Sequence, residues 1–416
     1  MKVLMGPQNF AGQPIKLVNS LEERGIEADL VQYGDTDFGY EADKVVDISG
    51  DRAKAQIETA KDVVEEDYDI VHLWHRPLFM GEGYDQLAGF DLPLLKSRDI
   101  RILYRFTGQD LRLESVQKDI NPYNVYRYGY ESNYDEERQR EYLEFLEHYV
   151  DQFIVQDREM HGYRPDATII PRAMDPDEWD PVGIDESKET PLVVHPPSNK
   201  DVKGSWFVQE AVDTLREEGL DFEYEEISGL PHEEAVEKYK QADVIVDQLL
   251  IGWHGVVTLE AMALGKPAVC YIRDDLNSDD VPVAEANPET LTDTLRELIR
   301  DPDKRARLGR DGREYVEENH DIETVTDQLV DLYEEVLERE PTGNMKPEAT
   351  SDFDYLHSQY EDQRNKKFKL RYQMKKREEL EEELQELQNK AEEYEELKEE
   401  VEDLRYKVQR YEELLE

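Results

Sequence analysis

The chain has one cysteine, Cys270, in 416 residues. That scarcity excludes a disulfide framework and a cysteine-based metal site. Cys270 falls in a predicted core strand, where a thiol serves as a small buried side chain. No apolar run approaches the roughly 18 residues that a membrane-crossing helix needs. The opening, MKVLMGPQ, reads as a strand rather than a leader, so a cytoplasmic protein is expected. Positive charge is scarce: 50 Lys and Arg stand against 100 Asp and Glu, for a formal charge of −50. The C-terminal end does not account for this. Residues 378–416 hold 17 acids and 5 bases and residues 364–377 hold 8 bases and no acid, so together they contribute about −4. The rest of the negative charge is spread over sequence that alternates strands and helices, which speaks against a disordered acidic chain. An acid-coated globular protein suits multimolar salt, where the Debye length is about 3 Å or less and self-repulsion is screened. The cytoplasm of a halophilic archaeon is such a medium. The same field argues against broad nucleic-acid binding.

The stretch Asp243 to Ile272 organises what is present. Asp243 to Leu250 is a mostly apolar, β-branched run, as expected of a strand buried on both faces. Gly252 and Gly255 bracket a turn, and Val256 to Leu264 reads as a helix stopped by Gly265, with Pro267 and a second buried strand, Ala268 to Ile272, behind it. A helix that starts straight after a glycine turn presents unpaired amides to an anion, so a phosphate seat is expected at Gly255, Val256, Val257 and Thr258. Glu260 lies on a helix that is apolar nearly all round and therefore buried. A buried carboxylate needs partners. Ribose hydroxyls would supply them, and so would a neighbouring basic residue at the rim of the sheet.

Residues 1–170 alternate strand and helix in the manner of a parallel sheet. Strands are predicted at Val3–Met5, Ala28–Gln32, Ile70–Trp74, Ile100–Phe106 and Phe153–Val155. Loops at the carboxyl ends of such strands face the ligand crevice. Gly6 to Gly12, His75-Arg76-Pro77 and Thr107-Gly108-Gln109-Asp110 are therefore candidate site loops, whereas His72 reads as a packed core histidine. A tyrosine-rich segment (Tyr123, Tyr126, Tyr128, Tyr130, Tyr134, Tyr142 and Tyr149) is expected to pack over the first domain, with stacking on a sugar or a lipid-facing groove as alternatives. Residues 171–190 read as an interdomain linker, and a second strand–helix series fills 191–338. A hinge follows at 339–355. Beyond it comes a basic, aromatic-studded segment, 364–377, that fits an anionic lipid surface or a neighbouring acidic face. From about 377, heptad spacing predicts a coiled coil, most simply a homodimer, with a local stammer between Tyr394 and Leu397.

Four stretches together resemble the GT-B glycosyltransferases, in particular the large retaining branch often called family four. They are Thr258-Leu259-Glu260-Ala261-Met262-Ala263-Leu264-Gly265-Lys266-Pro267, Asn199-Lys200-Asp201-Val202-Lys203-Gly204, Pro171-Arg172-Ala173-Met174-Asp175 and Arg105 to Arg112. The resemblance covers roughly residues 1–338. It implies two Rossmann-like doubly wound domains and transfer of a sugar from a nucleotide-diphosphate donor to a glycan or lipid-linked acceptor, with retention and without an essential metal or cofactor. Carried onto this chain, it implies that Glu260 binds the ribose, Lys203 and Lys200 the diphosphate, and Gly12 the donor. Lys203, Thr107 and Asp110 would carry the chemistry. Two positions depart from the family. Gly252 stands where a first Glu precedes Glu260 by eight residues, with His254, Trp253 and Asp247 as nearby substitutes that spacing does not select, and Thr107 stands where relatives often have His. These departures leave open a nucleotide-sugar-binding scaffold that assembles a glycosylation complex through its coil. A more distant alternative is an epimerase or phosphorylase on the same architecture.

Overall fold

Short strands, most of them followed by a helix, build two parallel sheets. The computed structural model describes residues 1–34, 40–80, 89, 91–132, 135–276 and 281–343. Most of the expected hinge, the basic segment 364–377, the coiled coil and Tyr134 lie outside the described residues.

The first lobe runs β1 (Lys2–Gly6), α1 (Gln13–Glu23), β2 (Glu27–Tyr33), β3 (Lys44–Val46), α2 (Arg52–Glu65), β4 (Ile70–Trp74), α3 (Asp91–Lys96), β5 (Arg101–Arg105), α4 (Glu114–Ile120), α5 (Glu136–Glu147), β6 (Gln152–Val155), α6 (Arg158–His161) and β7 (Thr168–Ile169). Its sheet has the order β3-β2-β1-β4-β5-β6-β7. The second lobe runs β8 (Leu192–His195), α7 (Lys200–Lys203), α8 (Ser205–Glu217), β9 (Glu223–Glu226), α9 (His232–Gln241), β10 (Val244–Val246), α10 (Val256–Ala263), β11 (Ala268–Cys270), β12 (Ala284–Glu285), α11 (Leu291–Arg300), α12 (Pro302–Asn319) and α13 (Ile322–Glu338). Its sheet has the order β12-β11-β10-β8-β9. All pairings in both sheets are parallel. Strand order reverses between β1 and β4 in one sheet and between β8 and β10 in the other. Crevices outside the carboxyl ends of strands at such switch points are where ligands bind in this architecture.

The structure departs from the sequence reading in four places. β3, β7 and β12 are two- or three-residue edge strands that were not foreseen. β10 ends at Val246, so Asp247 to Leu250 is loop rather than strand. The tyrosine segment is divided: Tyr142 and Tyr149 join the first-lobe core, but Tyr126 and Val125 are buried in the second-lobe core with Tyr123, Tyr128 and Tyr130 against it. Asn121 fixes this crossing by donating to the carbonyls of Leu250 (3.0 Å) and Ile251 (3.1 Å). Finally, α13, expected within the second domain, packs on the first lobe. Its stripe Val325, Leu329, Leu332, Tyr333 and Val336 is buried with Val3, Met5 and Leu17. At about 1.5–3 kcal/mol per buried apolar side chain, this stripe anchors the helix there. His72 is a packed core histidine as expected, with its Nδ1 2.7 Å from the Tyr333 hydroxyl.

Candidate functional site

Three residues after β10 begins, the chain turns on a buried carboxylate. Asp247 Oδ1 accepts from Lys203 Nζ at 2.5 Å. Its Oδ2 accepts from the amide of Gly255 (2.9 Å), the amide of Thr258 (3.3 Å) and the Thr258 hydroxyl (2.7 Å). Burial alone would raise this carboxyl, but Lys203, Thr258 and the Gly255 amide outweigh it and hold Asp247 below the usual range. Two of the expected phosphate-seat amides, those of Gly255 and Thr258, are thus capped from within. The amides of Val256 and Val257 have no intrahelical acceptor, and these two residues are the half-exposed positions of an otherwise buried helix. Gly255 has no room for a side chain. A Cβ there would lie 2.6 Å from Asp247 Oδ2 and 3.1 Å from Lys203 Nζ.

Lys203 and Lys200 leave the same short helix in different directions. The Asn199 side chain caps it by accepting from the amides of Asp201 (3.0 Å) and Val202 (3.1 Å), and Gly204 ends it in a left-handed turn (φ 75°). Lys203 is thereby turned inward, where Gln248 Oε1 also accepts from it at 2.9 Å. Lys200 is turned outward, exposed, and paired with Glu226 at 2.5 Å. The two lysines expected at the diphosphate are thus held apart, one buried and one exposed.

Glu260 is buried, at 5% exposure. Its Oε1 lies 2.7 Å from Nε2 of His232, the first residue of α9, and that bond raises the His232 pKa against an opposing effect of burial. The expected basic neighbour is present, then, and satisfies one oxygen. Across the crevice stands Tyr40 of the first lobe, its hydroxyl pushed up by burial and by the Glu260 charge. The Tyr40 ring lies against Gly12, close enough that a Cβ on Gly12 would sit 2.9 Å away. Lys203 thus stands at the start of α10, and Glu260 lies five residues beyond Gly255, a rise of about 7.5 Å.

In the first lobe, His75 follows β4 with φ 64°, a left-handed conformation that non-glycine residues hold only where the surroundings fix it. Its Nδ1 is 3.0 Å from Asp110 Oδ2 and 3.0 Å from the Thr107 hydroxyl. Its carbonyl accepts from the Tyr104 hydroxyl at 2.5 Å, and the Phe10 ring meets it edge-on at 5.1 Å. Asp110 also accepts from the amides of Thr107 (3.1 Å) and Gly108 (2.6 Å). Burial acts to raise its carboxyl, yet His75 and these amides hold it low. Asp110 therefore stands behind the imidazole as a positioning group, and Thr107 bonds to an imidazole rather than replacing one. At Gly252 the chain has φ 93°, and a Cβ would sit 2.7 Å from the Arg273 stem. Arg273 makes a two-pronged contact with Asp275 (2.9 and 2.6 Å), while its buried NH1 has no partner.

Sequence reasoning missed His232 and Tyr40, which no spacing links to Glu260; it placed Asp247 in a strand and named it only as one of three substitutes for the carboxylate absent at Gly252. The signal for Asp247 was an acid interrupting an apolar run just ahead of a glycine turn.

Among the described residues, no group of three or more His, Cys, Asp or Glu is placed to hold a metal ion, and no helix is long and apolar enough to cross a membrane. No protein-family model and no curated protein sequence matches the chain. Solved structures do. Sucrose-phosphate synthase from Thermosynechococcus elongatus is similar with a TM-score of 0.57 at 16% identity, over 80% of this chain and 98% of that one. Anabaena HepE, solved in complex with UDP-glucose, has a TM-score of 0.53 at 13% identity, over 80% and 100%. WaaG, a glycosyltransferase involved in lipopolysaccharide biosynthesis, has a TM-score of 0.51 at 13% identity, over 80% and 99%. The chain has the two-sheet α/β fold of these GT-B glycosyltransferases.

Proposed function

We propose that the protein is a glycosyltransferase that moves a sugar from a nucleotide-diphosphate donor to a glycan or lipid-linked acceptor, with retention. One observation carries the reading. At the switch point of the second sheet, Lys203 and the first-turn amides of Val256 and Val257 stand at one end of α10, and the buried carboxylate of Glu260 stands further along it. A diphosphate on the first and a ribose on the second would follow the helix. As the bond from the anomeric carbon to the phosphate oxygen breaks, Lys203 and these amides stabilise the departing charge. Removing one such preorganised donor raises a barrier by about 2.7–4 kcal/mol. The acceptor hydroxyl attacks the same carbon and gives up its proton to the leaving phosphate. In this reading His75, held at Nδ1 by Asp110 and Thr107, lies on the first-lobe side of the reaction.

The scaffold reading is favoured by glycine at 252, which removes the carboxylate that relatives place beside the sugar. Turnover separates the two. Nucleotide release is measured in high KCl over a donor panel, with and without glycan and lipid-linked acceptors. Acceptor-dependent release that falls about 100-fold or more in Lys203→Ala is the expected result; no release from any donor would contradict transfer. The reading also includes a homodimer formed by the coil and contact of residues 364–377 with anionic lipid. For the latter, flotation with anionic vesicles should favour the intact chain over a charge-neutralised 364–377 variant, and equal partitioning would refute it.

A further inference from the structure

A nucleotide-diphosphate donor brings two ionised phosphates to a place where Lys203 is already paired with Asp247. Lys200, turned out to Glu226, does not supply the missing positive charge. Arg172 is placed to do so. It lies on the linker between the lobes, and its carbonyl and both neighbouring residues are held by hydrogen bonds. Its carbonyl is 2.8 Å from His320 Nδ1. The carbonyl of Pro171, one residue earlier, accepts from Arg105 at 3.1 Å. One residue later, the amide and carbonyl of Ala173 are both bonded to the side-chain amide of Gln13, at 2.7 and 2.8 Å. Gln13 opens α1 directly after Gly12, at the mouth of the first lobe's switch point.

The partly buried guanidinium contrasts with this clamped backbone, because it forms no hydrogen bond or ion pair with any described residue. The charges that bear on it come from both lobes: Asp157 just past β6, Asp247 just past β10, and the Arg112–Glu159 pair; burial pushes its pKa down. The buried rings of His254 and His320 are in turn depressed by burial and feel the Arg172 charge. The Arg172 charge therefore interacts with carboxylates that follow strands of both sheets, Asp247 among them. A guanidinium offers five donors in a planar fork suited to phosphate, and leaving those donors partly desolvated without acceptors is unfavourable.

We propose that Arg172 is the second cation of the donor site, taking the diphosphate together with Lys203 from the linker, in the role expected of Lys200. The inference rests on the donor-binding reading above. Because both lobes hold the Arg172 backbone, a phosphate on its side chain also ties donor binding to the relative placement of the two sheets.

The test is calorimetric titration of the full-length chain in high KCl with UDP, GDP and ADP and the matching nucleosides. It compares wild type, Arg172→Gln, Arg172→Lys and Lys200→Gln. Arg172→Gln should weaken the preferred diphosphate about tenfold or more, the scale of a lost charge-assisted hydrogen bond, and leave the nucleoside within about twofold. Arg172→Lys should fall between, and Lys200→Gln should stay within about twofold of wild type. If Arg172→Gln does not fold, Arg172→Lys decides: it must lose diphosphate affinity while keeping nucleoside affinity. Diphosphate binding equal to wild type in the Arg172 variants, or a loss in Lys200→Gln as large as in Arg172→Gln, would overturn the assignment while leaving the donor site standing. If wild type binds none of the three diphosphates, the donor reading fails and the assignment falls with it.

Discussion

The two lobes solve one problem with the same chemistry and different chain economy. In each, a buried aspartate just past a strand end caps backbone amides and tethers a nitrogen base: Asp247 holds Lys203, Gly255 and Thr258, and Asp110 holds His75, Thr107 and Gly108. In the second lobe the carboxylate, the capped helix and Glu260 all come from one stretch, Asp243 to Glu260. The first-lobe cluster is gathered from the β1 loop (Phe10), the end of β4 (His75) and the loop after β5 (Thr107 to Asp110). The part of a site written in one stretch can be read from that stretch, whereas partners brought from elsewhere, Lys203 and His232 in the second lobe and most of the first-lobe cluster, become visible only once the sheets are in register.

The comparison is sharpened first by removing each aspartate. Asp247→Ala should destabilise the fold by about 3–5 kcal/mol, because it leaves the ammonium of Lys203 buried without its counter-charge. Asp110→Ala, which strands amides and a histidine, should lose about 1–3 kcal/mol. Denaturant unfolding in high KCl reads both, and a larger loss at Asp110 would break the ordering. Next comes Gly255→Ala. Its methyl would press on Asp247 Oδ2 and Lys203 Nζ, with an expected loss of about 1–3 kcal/mol together with weakened diphosphate binding. Unchanged stability and unchanged binding would mean that the α10 start is looser than described.

The smallest effect belongs to the His232–Glu260 pair. A histidine whose folded pKa is raised contributes stability that is fully present below its unfolded value, near 6.5, and is lost as pH rises through the folded value. The stability difference between wild type and His232→Gln should therefore be largest on the acid side and shrink as pH rises through the raised folded value. A difference that is constant with pH would show that the pair does not titrate. Because His232 is more than a third exposed, solvent screening keeps this effect small.

The fold class and the importance of α10 were legible because their signals are local. A helix apolar on nearly every side with one glutamate in it must be buried, and it is. The sequence names Lys200 and Lys203 equally, and only the Asn199 cap and the left-handed turn at Gly204 choose between them. Asp247 was hidden by its apolar neighbours: it still pairs its amide with Val269 across the sheet (2.8 Å), but its side chain turns to α10. β3, β7 and β12 are too short for any periodic pattern to register. The stripe on α13 announced a helix with a buried face, yet a stripe carries no information about which lobe it will cover. The tyrosines likewise marked apolar surface, but their division between two cores depends on the Asn121 crossing, which is a tertiary contact.

The account turns on Glu260 and Lys203 holding the two ends of a nucleoside diphosphate. Thermal unfolding of wild type and Glu260→Ala with UDP, GDP and ADP in high KCl tests this directly. At about 100 times its dissociation constant, one of the three should stabilise wild type by roughly 2.7 kcal/mol, and the stabilisation should be largely lost in Glu260→Ala. No stabilisation of wild type by any of them, or equal stabilisation of the variant, would contradict the account.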